Sequence, residues 1–176
     1  VPTNAAVRAD GTVLADGFAE LPIGTYRVRI SAFGYRDQTR SVSILPESLT
    51  RVSVELEPAP FELTSVDLSR KRFNPANPGA TGVVRLSFRV SAPGSGRLDV
   101  FDSTGTRVFT RALGPFATWE QSAEWDGTVD RPSDLAAGSA TQTARAGRKN
   151  TDNLASDGTY DLRLRLTGDD GRLEEE

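Results

Sequence analysis

Apolar and polar residues alternate along most of the chain, and the period of an amphipathic helix is sustained almost nowhere. In "GTYRVRIS" (24–31), Tyr26, Val28 and Ile30 fall on one side and the arginines between them on the other. The stretch "VVRLSFRVS" (83–91) repeats the pattern with larger apolar residues. A period of two is typical of a half-buried β-strand, so we predict an all-β fold.

Turn signals rich in Gly, Pro, Asn and Asp separate these runs and sort them into two groups. About five short strands, the last near 52–56, precede the first boundary and predict a small antiparallel sandwich or barrel. About seven strands follow it and predict an immunoglobulin-like sandwich. The prolines of "EPAP" (57–60) mark the boundary. We therefore predict two consecutive antiparallel β-sandwich domains, at 1–58 and 59–176.

Residues 128–157 interrupt the second group, because they are polar and small with little apolar periodicity. Structureless loops longer than about 12–15 residues are uncommon in compact domains. We interpret the segment as a long insertion at a place where a short hairpin turn would suffice.

The composition removes most kinds of active site. Cysteine, histidine and methionine are absent from the 176 residues, so there is no disulfide, thiolate nucleophile or imidazole base. A net charge of −3, from 21 basic and 24 acidic residues, does not indicate nucleic acid as a partner. No apolar run is long enough for a membrane-spanning helix. We expect a protein that is not an enzyme and holds no cofactor and no metal.

The centre of the first group reads "LPIGTY" (21–26) followed by "AFGY" (32–35). These motifs resemble those of the PEGA domain and of the regulatory, transthyretin-like domain of carboxypeptidases. The opening "VPTNAAVRADG" (1–11) is closer to PEGA, and the "DG" before "FAELPIGTY" (18–26) is closer to the transthyretin-like type. Neither family carries catalytic residues in this module, so the resemblance implies a structural role for 1–58.

The second group contains, in order, "FNP" (73–75), "LDVFDSTGTRV" (98–108), "WDG" (125–127) and "GTYDLRL" (158–164). Together they resemble the Ig-like module first described in the flagellar hook-capping protein, and the likeness extends over 61–171. The long insertion is a departure, since that family usually has a short turn there. The resemblance implies an extracytoplasmic bacterial protein with a role in assembly or display, and it does not imply flagella.

Two features are candidates for binding. A basic cluster and a neighbouring acid in the insertion could contact an anionic glycan or a protein partner, although a solvated loop is the expected interpretation. These residues are Arg145, Arg148, Lys149 and Asp152. Trp119 and Trp125 are six residues apart, hence on one face of an extended strand. Core packing is expected for both, with sugar stacking by Trp119 as the alternative.

Several other patterns favour structure over chemistry. Five aspartates lack the spacing of a calcium loop and are expected in solvated turns: Asp126, Asp130, Asp152, Asp157 and Asp161. Ser69 and Lys71 could share a strand face, but nothing marks an activated nucleophile. "GSG" (94–96) is predicted to be a hairpin turn, not a phosphate loop. Outward arginines could form a stripe, with pairing to cross-strand carboxylates as the expected use: Arg85, Arg89, Arg163 and Arg165.

We therefore expect a non-catalytic structural or interaction module of a bacterial secreted or cell-envelope protein. Its partners would be other domains of the parent chain or envelope proteins, and a glycan remains possible. The alternatives are an accessory module that binds carbohydrate or peptidoglycan, and the regulatory region of a larger enzyme. The chain begins at Val1 without a signal-peptide pattern, so we expect it to be a piece of a longer protein.

Overall fold

The structure, a computed structural model, describes residues 6–9, 12–14, 20–130 and 153–176. All its sheets are antiparallel, and the described part contains a short 3₁₀ turn at Gly79–Gly82. The predicted all-β, sandwich-type fold is therefore confirmed. The chain divides into two compact units, unit 1 at 1–60 and unit 2 at 61–176. The assignment of two separate domains at 1–58 and 59–176 stays a prediction.

Unit 1 is built on one four-stranded sheet. Its strands are β1 (Ala6–Ala9), β2 (Thr12–Leu14), β3 (Gly24–Ser31) and β4 (Gln38–Ile44), in the spatial order β2-β1-β3-β4. One face carries the core, where Ala9, Val28 and Ile30 are buried. The predicted alternation along β3 is confirmed, because Arg27 and Arg29 point to the exposed face.

The prediction of a strand at 52–56 is wrong, because the segment does not pair as a strand. It nevertheless lies beside β4, where the predicted strand would be. Val54 and Leu56 pack against the core of unit 1. Three hydrogen bonds align the segment antiparallel to β4 and the residues before it. They run from Thr50 Oγ1 to Ser43 O (3.3 Å), from Gln38 Nε2 to Glu55 O (3.0 Å) and from Arg36 N–H to Glu57 O (2.8 Å). Side chains make two of the three bonds, so the segment lies beside β4 without forming a regular strand of the sheet.

The described part of unit 2 contains seven strands, in agreement with the prediction of about seven. They are β5 (Leu63–Leu68), β6 (Val84–Val90), β7 (Gly94–Phe101), β8 (Arg107–Leu113), β9 (Glu120–Trp125), β10 (Asp161–Gly168) and β11 (Leu173–Glu175). One sheet has the order β11-β10-β7-β8 and the other the order β5-β6-β9. Alternate residues of β6 are buried as expected, ending at Val90, which is completely inaccessible.

Aromatic side chains fill both ends of the core of unit 2. At one end Phe61 stacks on Phe116 with ring centroids 6.4 Å apart, and Phe88 meets Phe116 edge-on at 5.8 Å. At the other end a second cluster surrounds Trp125. At each end, some of the aromatic residues lie in loops and not in strands, so the loops form part of the core.

The prediction that "GSG" forms a hairpin turn is wrong, because its residues begin β7. The turn lies just before them, at 91–93. Gly94 faces Gly168 of β10, and a Cβ at Gly94 would lie 2.5 Å from the carbonyl oxygen of Thr167. The glycine is needed for the close approach of strand β10, not for a turn or a phosphate.

Candidate functional site

The motifs "FNP", "WDG" and "GTY" converge on one corner of unit 2, which we call the tryptophan corner (Phe73, Pro75, Trp125, Gly127 and Tyr160). The Trp125 ring lies 5.6 Å from Phe73 and 5.2 Å from Tyr160, centroid to centroid. A Cβ at Gly127 would lie 2.4 Å from Cβ of Pro75, and its φ of 81° also disfavours other residues. The expected core role of Trp125 is confirmed, since its side chain is buried.

Polar atoms at the tryptophan corner hold turns. The indole N–H of Trp125 donates to the carbonyl oxygen of Thr128 at 2.9 Å. Oδ1 of Asp126 accepts from the backbone N–H of Thr128 at 3.1 Å and from its hydroxyl at 2.7 Å. The Tyr160 hydroxyl donates to the carbonyl oxygen of Ser156 at 2.8 Å. These groups satisfy one another's hydrogen bonds within the turns to which they belong, which is a structural role.

The insertion leaves the sheet through a short antiparallel stem that continues the edge of β8. The stem bonds run from Val129 N–H to Asn153 O (2.8 Å) and from Ala155 N–H to Gly127 O (2.7 Å). On its other side, Asp130 donates its N–H to Val108 O at 2.8 Å and accepts the N–H of Thr110 on Oδ2 at 2.7 Å. The described ends of the insertion thus add a ribbon to the four-stranded sheet and cover part of its edge.

A surface pocket of about 530 Å³ lies beside this stem. Its wall consists of the β7–β8 turn, the stem, and the segment 153–160. Asp102, Asp130 and Asp157 contribute carboxylates, and Tyr160 and Val108 contribute apolar surface. Within the described ranges, no three acidic side chains are placed to hold a metal ion together. The expectation of solvated turns agrees with Asp126, which holds the turn at 126–128, and with Asp157, which is exposed in a bend. Asp130 instead accepts an N–H bond from the edge of β8, and Asp161 is the first residue of β10, so for these two the expectation is wrong. Asp152 lies outside the described residues.

The interaction residues that the sequence predicted in the insertion lie outside the described residues. They are Arg145, Arg148, Lys149 and Asp152. Trp119 is half-buried and precedes β9, which begins at Glu120, so it does not share a strand face with Trp125 as predicted. The carbonyl oxygen of Trp119 accepts the N–H of Val90, which ties it to the sheet.

The serine–lysine pair is also part of the framework. Strand β5 ends at Leu68, so Ser69 and Lys71 do not share a strand face. Ser69 Oγ accepts the backbone N–H of Arg85 at 2.9 Å, and Ser69 N–H donates to Arg85 O at 2.8 Å. The hydroxyl therefore extends the strand ladder and is not poised as a nucleophile.

The four arginines considered as one stripe occupy two different sheets. Arg85 and Arg89 lie on β6, whereas Arg163 and Arg165 lie on β10. Pairing with carboxylates, the expected use, is confirmed for three of them: Arg85 with Glu124, Arg89 with Glu120 and Arg165 with Glu175. Arg163 instead lies over the ring of Phe101, 4.5 Å from its centroid.

Sequence reasoning missed Asp99, the only fully buried carboxylate of the described part. It occupies an outward position of β7, between the inward Leu98 and Val100, yet its exposure is 0%. Arg97 Nε lies 2.9 Å from Oδ2, and the Thr110 hydroxyl donates to Oδ1 at 2.7 Å. A buried carboxylate needs such partners. Alternation alone assigns this position to solvent, so only the pairing of strands reveals it.

Two aspartates in turns, Asp102 and Asp170, are expected to make unit 2 less stable at low pH. Hydrogen bonds from the Thr104 hydroxyl and the Thr106 N–H lower the pKa of Asp102. The N–H groups of Phe61 and Arg172 lower the pKa of Asp170. A carboxyl whose pKa is lower in the folded state binds fewer protons there than when unfolded. Its stabilising contribution is complete above the unfolded pKa of about 4 and is lost as the pH falls through the folded value.

We expect Asp170→Asn to flatten the pH dependence of unfolding below about pH 4, where the ionised carboxylate normally loses its advantage. Denaturant titrations followed by tryptophan fluorescence at pH 2–6 measure it, since both tryptophans lie in unit 2. Asp169→Asn is the matched control, because it changes the same charge in the same turn. An equal flattening in both variants would contradict the assignment to Asp170.

Comparison with known proteins finds a relative of this chain but does not show its family. No model of a known protein family matches the chain. It is 32% identical over 106 residues to an uncharacterized protein of Treponema pallidum (strain Nichols). The match covers 60% of this chain and 31% of that protein, so the chain spans about a third of the relative's length. Among the described residues, no helix has the length and hydropathy to cross a membrane. The similarities to PEGA, transthyretin-like and hook-capping modules stay predictions.

Proposed function

We propose that this chain is a non-catalytic structural and interaction module of a bacterial protein that is secreted or held in the cell envelope. Unit 1 is a PEGA-like or transthyretin-like module and unit 2 an Ig-like module of the hook-capping type. Their role is to space, assemble or present other parts of the parent protein. The tryptophan corner carries this proposal, because the three motifs that mark unit 2 meet there in packing and turn contacts.

The polar side chains that could serve as a nucleophile or a general base have structural roles, which supports a non-catalytic module. Ser69 extends a strand ladder, Asp126 holds a turn, and Asp130 accepts a bond from the β8 edge. A general base or nucleophile needs a group free to reach a substrate proton or carbonyl. Each of these side chains instead has a backbone partner within hydrogen-bonding distance.

The extracytoplasmic location can be tested with an engineered thiol, since the natural chain has no cysteine. Ser103→Cys places a thiol on the exposed β7–β8 turn. In cells that make the parent protein, we expect a membrane-impermeant maleimide to label this thiol before the cytoplasmic membrane is broken. The unsubstituted protein is the control. Labelling only after lysis of that membrane would overturn the proposed location.

A carbohydrate-binding role is the second candidate, favoured by the half-buried Trp119 and by the open polar pocket. If unit 2 is structural, peptidoglycan fragments will leave the tryptophan emission of the chain unchanged. A saturable emission change that disappears in Trp119→Phe would favour the carbohydrate-binding role instead. Trp125→Phe is the control for an indirect effect through the core.

A further inference from the structure

The exposed face of the unit 1 sheet is basic, although the chain as a whole is acidic. Arg8 of β1 and Arg27 and Arg29 of β3 occupy exposed positions whose strand neighbours carry the core. Arg8 lies directly opposite Arg29 in the β1–β3 ladder. Residues opposite each other have Cβ atoms about 5 Å apart, and alternate residues of a strand are about 7 Å apart. The three side chains therefore leave the sheet from one small area, which we call the arginine face.

The arrangement of the arginine face disfavours stability. Like charges directly opposite each other in a sheet are destabilising. Asp37 pairs with Arg29 and offsets part of the charge. Arg8 forms no ion pair within the part of the chain that the structure describes. In unit 2, by contrast, Arg85, Arg89 and Arg165 each have a cross-strand carboxylate. Arg8 and Arg29 thus place two like charges side by side on an exposed surface, where an anionic partner would relieve their repulsion.

Hydroxyl groups accompany the arginines on strand β4. Ser41 lies opposite Arg27, and Thr39 lies opposite Arg29. Further along, the hydroxyls of Thr25 and Ser43 are 3.2 Å apart. All four hydroxyl-bearing residues are exposed. The face thus combines cationic donors with neutral groups that both donate and accept hydrogen bonds.

We propose that the arginine face binds an anionic polysaccharide. Guanidinium groups bind carboxylates and sulfates through paired hydrogen bonds, and serine and threonine hydroxyls suit the hydroxyls of a sugar. Single-stranded nucleic acid fits less well, because the described residues of this face include no aromatic side chain on which a base could stack. A bilayer fits less well, because the same residues offer no large apolar side chain to insert.

Binding of an anionic polysaccharide would specify the interaction role proposed above. It rests on that proposal in one respect, the extracytoplasmic location in which the chain would meet such a polymer. Binding by the purified chain is independent of cellular location. A failure here would leave the thiol-labelling result standing, and a cytoplasmic location would leave a binding result standing. The two proposals can therefore fail separately.

The test is a binding titration of the purified chain with fluorescent heparin and with polygalacturonate at low salt, with neutral dextran as the uncharged probe. The triple variant Arg8→Gln/Arg27→Gln/Arg29→Gln is expected to bind both anionic polymers at least about tenfold more weakly and with a shallower salt dependence. The matched control, Arg85→Gln/Arg89→Gln/Arg165→Gln, removes three charges from unit 2 and should change affinity by less than about twofold.

Equal losses in the two triple variants would overturn the proposal, because net charge alone would then explain binding. So would the absence of binding to both anionic polymers. Tighter binding to single-stranded DNA or to vesicles of anionic phospholipid at the same salt would assign the face to those partners instead. Arg8→Gln alone should weaken binding while leaving the thermal midpoint equal or higher, since it removes the like-charge pair. A lower midpoint would mark Arg8 as structural and contradict the argument.

Discussion

Trp125→Ala is expected to lower the free energy of unfolding of unit 2 by about 3–5 kcal/mol, the usual cost of removing a large buried aromatic side chain. Trp125 is 2% exposed. Its ring touches Phe73, Phe109 and Tyr160, which come from a loop, from β8 and from the approach to β10. The substitution would leave a cavity between these three parts of the chain, so the loops of the tryptophan corner would lose a shared packing partner.

The measurement is chemical denaturation followed by the fluorescence of Trp119, which remains as a probe. Trp125→Phe keeps most of the ring but leaves the carbonyl of Thr128 without its 2.9 Å donor, so an intermediate loss is expected. Trp119→Ala is the second control, since Trp119 is only half-buried and should cost less. A loss for Trp125→Ala no larger than that for Trp119→Ala would contradict the central place of the corner.

Gly168→Ala should destabilise unit 2 by about 1–3 kcal/mol through overpacking. The added Cβ would lie 2.2 Å from Cβ of Phe61 and 2.5 Å from Oδ1 of Asp170. Neither neighbour can yield easily. Phe61 is completely buried against Phe116, and its N–H donates to Oδ2 of Asp170 at 3.0 Å. Relieving the contact therefore means moving the first residue of unit 2 or the β10–β11 turn.

Gly158→Ala is the matched control in the same unit. Its added Cβ would have no neighbour closer than 3.7 Å, so the change should be neutral or slightly stabilising through the unfolded chain. A double-mutant cycle of Gly168→Ala with Asp170→Ala tests the contact with the carboxylate, because the second substitution removes the Oδ1 that the added Cβ would meet at 2.5 Å. The cost of Gly168→Ala should fall once that oxygen is gone. Full additivity in that cycle would show that the strain arises elsewhere.

The correct predictions from sequence concern properties set by a strand's own geometry. Side chains alternate between the two faces of any strand, so β3, β6 and β10 could be oriented from their letters alone. The incorrect ones concern partners. "GSG" is rich in turn residues, but β10 approaches it so closely that only glycine fits, and that neighbour lies some 70 residues away in sequence.

Local alternation and residue types are enough to establish that this chain is all-β, which residues of its main strands face the core, and that no thiol or imidazole chemistry is available to it. The contacts between distant segments establish the rest: Arg8 and Arg29 lie side by side, Asp99 is buried on an outward face, and Trp125 but not Trp119 belongs to the core. Each of these depends on which strands pair and in what register, and hydrogen bonds between distant segments set that register.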